Sequence, residues 1–227
     1  RIAPMFRDTP ILKGKVSDPK SRDSGSTILH RRFTGGHLTI VGSNSPAGLA
    51  SRPIRFLLAD EVDRWEDSAG AEGDQLGLAT ARTRNFWNRK IIMVSSPTVK
   101  GASRIEAAFL ESDQRFFHVP CPLCDHVQRL TWPSVEWPHG EPEKAAYRCA
   151  ACNELIPAHR KGWMVERGRW IASNPGAKIA GFHLSELYSP WRSWGELAVD
   201  WRKCEGNPER LRVFINTTLA ELWDDAG

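Results

Sequence analysis

The sequence predicts an α/β protein in which a mostly parallel sheet with flanking helices is followed by a small cysteine-rich insertion and a helical C-terminal segment. Short apolar runs at residues 54–59 and 90–94 each end in a polar turn, which is typical of strands buried on both faces. Helical patterns alternate with these runs, and strands that alternate with helices favour a parallel sheet. Four cysteines between residues 117 and 156 mark the insertion.

Composition places the chain among globular proteins. It has 227 residues, of which 41% are hydrophobic and 26% charged, and this excludes a disordered tail or a collagen-like repeat. Its apolar runs are too short to cross a bilayer, so we expect no membrane partner. Its start resembles no signal peptide and lacks an initiator methionine, and we therefore expect a piece of a longer protein.

Charge is distributed unevenly along the chain. Residues 1–59 carry 10 basic and 3 acidic side chains, whereas the whole chain carries 31 basic and 27 acidic ones. A basic front section favours a polyanionic partner. A solvated surface with no partner is the alternative, and charge alone does not choose between the two.

The first half of the chain contains the patterns of one more strand and two helices. Residues 1–35 are predicted to be irregular, because prolines and glycines interrupt any period. Residues 36–42 alternate between polar and apolar side chains, which predicts a strand. Helices are predicted at 73–85 and at 103–112, the latter with Ile105, Ala108 and Phe109 on one face.

The C-terminal segment predicts two helices. They cover residues 193–204 and 208–223, and the second begins with Pro208, a favoured residue at the first helical position. In this second helix Leu211, Phe214 and Leu219 recur at the spacing of one helical face.

Two C-x-x-C pairs carry a strong metal-binding signal. Cys121 and Cys124 form the first pair and Cys149 and Cys152 the second, with 24 residues between the pairs. Two such turns can place four thiolates around one ion in the tetrahedral arrangement that zinc favours. We therefore predict a zinc ribbon over residues 116–158, with strands near 128–132 and 147–148. Four sulfurs leave no open position, so the zinc would be structural.

Other roles for the cysteines fit less well. Structural disulfides need an oxidising compartment, and a thioredoxin-like dithiol needs only one C-x-x-C pair at the start of a helix. Cys204 falls in a predicted helix, where we expect it to contribute to packing. His118, His126 and His139 are expected to lie at the surface or beside the ligands, because four sulfurs already saturate zinc.

A pair of acids follows the first apolar run. Residues 54–59 lead into Asp60 and Glu61, the arrangement of a Walker B element, in which a buried strand delivers two carboxylates to the edge of a sheet. There Asp60 could hold Mg²⁺ on the β- and γ-phosphates of ATP, and Glu61 could polarise the attacking water. A plain polar turn after a strand is the alternative.

The second apolar run ends in a short hydroxyl-rich sequence. Ser95, Ser96 and Thr98 follow it, and in translocating ATPases the neighbouring strand ends in a small hydroxylic motif that senses the γ-phosphate. The same residues also suit any exit from a strand into a loop. Arg82 and Arg84, in the predicted helix between the runs, are candidates for phosphate or inter-subunit contacts, with a solvated helix face as the alternative.

The sequence contains no Walker A loop. Gly14-Lys15 lacks both the glycine five positions earlier and the hydroxyl after the lysine, and the loop at 42–48 has no lysine. The predicted fold is therefore a partial P-loop-type parallel sheet with flanking helices, followed by the zinc-ribbon insertion and the helical segment. Either the N-terminal part of an ATPase lies outside the chain, or the chain is not an ATPase.

Taken in order, these motifs and their surroundings match one family. The matching stretches are residues 33–46, 55–64, 95–98, 101, 103–105, 112–115, 119–124, 147–152, 181–184, 188–190, 214–217 and 221–223. In this order they resemble the large subunit of double-stranded DNA phage terminase, of the GpA type. The resemblance runs over nearly the full chain, and the ordered combination is far more specific than any one motif.

The resemblance implies a DNA-packaging motor, in which an ATPase domain pumps viral DNA into a procapsid and a metal-dependent nuclease domain cuts concatemers. It implies that Asp60 is the Walker B aspartate, Glu61 the catalytic glutamate, and Ser95, Ser96 and Thr98 the coupling motif. Residues 1–115 would be the C-terminal part of the ATPase domain. Residues 159–227 would be a linker and helical segment toward a nuclease that begins near or after residue 227. With Walker A upstream of residue 1, we expect this piece alone to be inactive.

A motor of this kind implies several partners and cofactors. The partners are double-stranded DNA, a small terminase subunit, a portal or procapsid, and further copies of the large subunit in a ring, all in the cytoplasm of a bacterial host. Zinc, Mg²⁺ and ATP are the cofactors. Moving DNA needs only sequence-independent phosphate contacts. The candidates for these contacts are four arginines of the basic front section, Arg31, Arg32, Arg52 and Arg55.

Two other functions stay open from the sequence. One is a non-enzymatic zinc-ribbon module that binds nucleic acid or protein, and the other is an inactive remnant of a defective prophage. Within the motor hypothesis, the ribbon could brace the ATPase against a partner or touch DNA. We favour bracing, because the ribbon contains few basic residues, among them Arg129 and Arg148.

Overall fold

The computed structural model describes residues 3–16, 27–50, 52–66, 68 and 73–225. Within these ranges the helices are α1 (Ala3–Asp8), α2 (Pro46–Ala50), α3 (Gln75–Ala81), α4 (Arg104–Leu110), α5 (Lys161–Glu166), α6 (Trp194–Arg202) and α7 (Pro208–Val213). The strands are β1 (His30–Phe33), β2 (Gly36–Thr39), β3 (Phe56–Asp60), β4 (Lys90–Val94), β5 (Arg115–Pro120), β6 (Val127–Arg129), β7 (Val135–Glu136), β8 (Ala146–Arg148), β9 (Leu155–Pro157), β10 (Arg169–Ala172) and β11 (Phe182–His183). The chain divides into two compact units, residues 1–59 with 65–92 and residues 60–64 with 93–227. Across the described ranges, every helix is too short or too polar to cross a bilayer.

In the first unit, β1 and β2 form an antiparallel hairpin in which Arg31 lies opposite Leu38. Gly35 turns the chain between them with a φ of 85°, a left-handed conformation that glycine adopts without strain. The strand predicted at 36–42 is β2, which is shorter, whereas the region predicted to be irregular contains α1 and β1. Basic side chains in β1 hide that strand from a search for apolar alternation.

The two apolar runs form β3 and β4, which lie side by side in a two-stranded sheet. Along β3, Leu57 and Ala59 are buried, whereas Phe56 is 55% and Leu58 is 67% exposed. On β4, Ile92 is also exposed. The expected burial on both faces is therefore wrong for both strands, because no second layer covers Phe56 and Leu58 on β3 or Ile92 and Val94 on β4 in the described part of the chain. A larger P-loop-type sheet stays a prediction.

Side-chain caps fix the first turns of α3 and α4. The Asp74 carboxylate accepts a 2.6 Å hydrogen bond from the Gly77 N–H, and Ser103 Oγ accepts one of 3.1 Å from the Glu106 N–H. The helix predicted at 103–112 is confirmed as α4. The helix predicted at 73–85 is confirmed as the shorter α3, and turns replace it over residues 82–85.

The second unit contains two sheets. The larger one is built around β5, which pairs antiparallel with β10 and β6 and parallel with β11. The smaller one is the antiparallel sheet of β7, β8 and β9. The fold is therefore a mixed α/β fold with both parallel and antiparallel strand pairs.

One hydrophobic core joins the strands of the predicted ribbon to the C-terminal helices. Val119, Tyr147 and Ile156 from the strands and Trp194 and Leu197 from α6 are each at most 2% exposed and belong to one buried cluster. Burying a large apolar side chain contributes about 1.5–3 kcal/mol. Apolar packing therefore holds the strands of the predicted ribbon within a larger unit.

The C-terminal helices begin as predicted and end earlier. A reciprocal cap between Ser193 and Glu196 starts α6, which confirms the first predicted helix. The second helix, α7, continues into a π-helix at Phe214–Thr218. It stops short of residue 223, because Ala220 adopts a left-handed φ of 54° that a helix does not accommodate. Cys204 is buried in the core, which confirms its predicted packing role.

Candidate nucleotide and metal sites

The predicted acidic pair lies at the end of β3. Asp60 is the last residue of that strand, and Glu61 follows it with a left-handed φ of 53°. Both side chains are exposed, whereas the next residue, Val62, is fully buried and anchors the segment. Left-handed backbone at a non-glycine residue costs about 1–3 kcal/mol and is concentrated at functional sites. The segment therefore presents two accessible carboxylates on an anchored turn.

A third acid, Asp63, connects this segment to the residues that follow β4. Its carboxylate accepts hydrogen bonds from the Thr98 hydroxyl at 3.0 Å and from the Ile105 N–H at 2.8 Å. Its own N–H donates to Ser95 Oγ at 3.1 Å. The structure therefore brings the predicted coupling residues Ser95 and Thr98 to the segment that carries the acidic pair.

Local contacts also shape the hydroxyl-rich loop itself. The Ser95 hydroxyl donates to the Ser96 carbonyl at 3.1 Å, and Pro97, which separates Ser96 from Thr98, is buried. Sequence reasoning missed Asp63. Its signal was a third acid only two residues after Glu61, on the same turn.

The arginines of the predicted helix lie toward the other end of β3. The Arg82 carbonyl accepts a 3.1 Å hydrogen bond from the Ile54 N–H, just before the strand begins, whereas Asp60 is its last residue. Arg84 follows in the same turn and is exposed. The main chain at Arg82 therefore lies beside the start of β3.

The basic front section contains both buried and exposed arginines. Arg31 is only 4% exposed, so its side chain is not available at the surface. Among the predicted DNA contacts, the side chains of Arg32, Arg52 and Arg55 are exposed.

An exposed aromatic side chain, Trp87, was not singled out from the sequence, and it is 96% exposed. The basic residues on both sides of it in the sequence were the available signal.

The four cysteines of the two C-x-x-C pairs meet in the second unit. Their sulfurs all lie within 4.8 Å of one another, with 3.9 Å between Cys121 and Cys152 and 3.8 Å between Cys124 and Cys149. A zinc ion with Zn–S bonds of about 2.3 Å requires sulfurs about 3.8 Å apart in a tetrahedron. A disulfide requires about 2.05 Å. The spacing therefore fits a metal shell and not a pair of disulfides.

Each C-x-x-C pair forms the same turn at the end of a hairpin. The first lies between β5 and β6, and the second between β8 and β9. In each turn a backbone N–H donates to the first sulfur, from Leu123 to Cys121 at 3.4 Å and from Ala151 to Cys149 at 3.5 Å. The residues after the turns, Asp125 and Asn153, both have left-handed backbones. Two matched C-x-x-C turns whose sulfurs meet in this way could hold one metal ion.

The surroundings of two of these thiols shift their pKa values in opposite directions. Burial alone would raise the pKa of the Cys149 thiol, but hydrogen bonds from the backbone of Cys152 and Ala151, together with those from the Cys121 and Cys152 thiols, lower that pKa to about 6. Burial raises the pKa of the Cys121 thiol to about 12. The buried Gln128 supports the second C-x-x-C turn, because its side-chain carbonyl accepts a 2.9 Å hydrogen bond from the Ala150 N–H. A thiolate is the form that binds metal.

Two curated proteins are similar to nearly the whole chain. They are the terminase large subunit of Enterobacteria phage P21, 26% identical over 99% of this chain, and that of Escherichia phage lambda, 28% identical over 98%. The chain spans 39% of the length of each of these relatives. No solved structure matches it.

Family profiles cover both ends of the chain. The profile described as "Phage terminase large subunit gpA, ATPase domain" matches residues 1–170, and "Terminase large subunit gpA, endonuclease domain" matches residues 179–227. The second match lies inside residues 159–227, which the resemblance implies are a linker and helical segment, and it begins before residue 227, near which the nuclease was expected to start. The chain therefore belongs to the gpA family of phage terminase large subunits.

Proposed function

We propose that this protein is part of a bacteriophage terminase large subunit, an ATP-driven double-stranded DNA translocase coupled to an endonuclease. The observation that carries the proposal is the contact of Asp63 with Ser95 and Thr98. This contact brings the acidic pair and the hydroxyl-rich loop together where β3 and β4 end. That edge is where α/β sheets commonly bind ligands. Partners in the complete motor are a small terminase subunit, a portal or procapsid and further large subunits, in the host cytoplasm.

The chemistry assigned to this edge is phosphoryl transfer to water. Mg²⁺-ATP, when bound, supplies the γ-phosphoryl group. The Asp60 carboxylate would hold the ion, and Glu61 would orient the attacking water and accept its proton. Asp63 would keep the Thr98 hydroxyl at the same edge, where a small hydroxyl exchanges hydrogen-bond partners at little steric cost.

The substitution Asp60→Asn in the complete large subunit tests this assignment. A neutral amide holds Mg²⁺ poorly, so we expect ATP binding in the presence of Mg²⁺ to weaken by at least about tenfold. Binding without Mg²⁺ should not change, and titrations with and without the ion measure the difference. Glu111→Gln, an exposed acid at the end of α4, is the matched control. Equal binding by Asp60→Asn and the unmodified protein in Mg²⁺ would remove Asp60 from the site.

For the cysteine cluster we propose a structural zinc that braces the unit. The ribbon's strands share the buried core with α6, as the packing of Tyr147 against Trp194 illustrates at 5.5 Å between ring centroids. Two of its basic side chains are engaged within the protein. Arg129 lies 3.8 Å above the Phe116 ring, and Arg148 forms an ion pair with Glu136. Neither guanidinium is free for DNA, which favours the bracing role.

We assign phosphate contacts with double-stranded DNA to basic residues where β3 and β4 begin. Lys90 and Arg55 are neighbours across the two strands, because the Lys90 N–H donates to the Arg55 carbonyl at 3.1 Å. Both side chains are exposed, as are those of Arg89 and Trp87 in the preceding turn. No base-reading group is needed, because a motor grips every sequence alike.

Neutralising two of these cations gives a quantitative test. Each phosphate contact contributes about 0.9 to the slope of log affinity against log salt concentration, so Arg55→Gln with Lys90→Gln should reduce that slope by about 2. The measurement is DNA binding by the complete subunit over a salt series, with two unrelated duplex sequences. Lys144→Gln, a lysine paired with Glu141 in the ribbon, should leave the slope unchanged. An unaltered slope in the double variant would place the DNA elsewhere.

A further inference from the structure

The loop after β4 is held from two sides. On one side the Thr98 hydroxyl donates to Asp63, and on the other the Thr98 carbonyl accepts hydrogen bonds from Asn216 Nδ2 at 2.8 Å and the Trp223 N–H at 2.9 Å. The Lys100 N–H returns a bond to the Trp223 carbonyl at 3.0 Å. Thr98 thus joins the acidic segment to the part of the chain matched by the endonuclease profile.

Asn216 is built into this junction in an unusual way. It is only 5% exposed, and its amide donates both to Thr98 and to the Glu221 carbonyl at 2.8 Å, so both of its N–H groups are used. It lies in the π-helix Phe214–Thr218, and π-helical turns are frequent at functional sites. A buried amide with two backbone acceptors in different segments fixes their relative position, because neither segment can move away without breaking its own bond to the amide.

We propose that Asn216 is a positioning residue that passes the nucleotide state of the acidic site to the endonuclease segment. The inference rests on the proposed ATPase function. When the Thr98 hydroxyl exchanges Asp63 for another partner, the loop loses one of its bonds to the acidic segment. A shift of the loop would then carry with it the Thr98 carbonyl, which accepts hydrogen bonds from Asn216 and Trp223. Coupling between sites travels through contiguous hydrogen-bonded networks of this kind when an element has two arrangements. Residues 216–223 would then change their arrangement with the nucleotide state.

Amide hydrogen exchange on the complete large subunit tests the link without depending on catalysis. In the unmodified protein, a non-hydrolysable ATP analogue with Mg²⁺ should change the exchange rate of a peptide covering residues 219–224 by at least about fivefold, the lower range of coupling between sites. In Asn216→Ala the analogue should still bind with unchanged affinity, and the exchange ratio for that peptide should fall to about one. Thr217→Ala, an exposed neighbour in the same π-helix, should keep the response of the unmodified protein.

Two outcomes overturn the inference while leaving the proposed function intact. One is nucleotide binding without any exchange response in the unmodified protein, and the other is a full response in Asn216→Ala. Absence of nucleotide binding in the unmodified protein would instead overturn the proposed function. A global loss of structure would raise exchange in the core strand β5 as well. In that case Asn216→Ser, which keeps one hydrogen-bond donor, replaces the alanine variant and should give a reduced response, whereas a full response contradicts the link.

Discussion

Replacing Glu61 with glutamine in the complete terminase large subunit is expected to stop ATP turnover while ATP still binds. The amide keeps the size of the side chain and cannot accept a proton from water. General-base catalysis contributes about 10²–10⁴ in rate, so turnover should fall by at least about 100-fold. Phosphate release measures turnover, and equilibrium titration with a fluorescent ATP analogue measures binding.

The control for this substitution is Glu66→Gln, an exposed carboxylate five positions further along the chain. It should leave turnover unchanged, because it is not part of the turn that carries the acidic pair. Turnover of Glu61→Gln near the unmodified level would show that Glu61 is not the base. Loss of binding together with turnover would assign it a structural part in the nucleotide site instead.

Replacing Cys149 with serine is expected to empty the cysteine cluster of zinc and to unfold the ribbon. A structural zinc contributes about 10–16 kcal/mol of apparent binding free energy in small zinc domains, comparable to the whole stability of a domain. Elemental analysis should give about one zinc per chain in the unmodified protein and close to none in the variant. Limited proteolysis should then cut within residues 116–158.

Cys204→Ser is the matched control, because Cys204 is a buried cysteine outside the cluster. Its zinc content should equal that of the unmodified protein. A folded, metal-free ribbon in the unmodified protein would contradict the zinc proposal, and zinc loss in Cys204→Ser would show that the ligand set is different.

Features encoded by short-range spacing were predictable from the sequence. The C-x-x-C turns bring the sulfurs of each knuckle together through four consecutive residues, so their grouping needs little knowledge of the rest of the fold. The strands β3 and β4 and the helices α4 and α6 were likewise visible, because apolar period and capping residues such as Ser103 and Ser193 act within one turn.

Features that depend on distant contacts were not predictable in this way. Asn216 looks like any polar residue in an amphipathic helix until Thr98, 118 positions away, is seen beside it. The exposure of Phe56 and Leu58 likewise depends on which layers cover the sheet and not on their own hydrophobicity. The basic strand β1 forms because β2 supplies hydrogen-bond partners, a contribution that its own side chains do not reveal.

The main chain at Glu61 adopts a shape that glycine would take freely. A glycine at this position would avoid the backbone strain, and the free energy of unfolding would rise by on the order of 1 kcal/mol. A carboxylate occupies the position instead. The strained backbone at Glu61 therefore carries a cost in stability, and a functional role for the carboxylate, as proposed above, would account for its persistence.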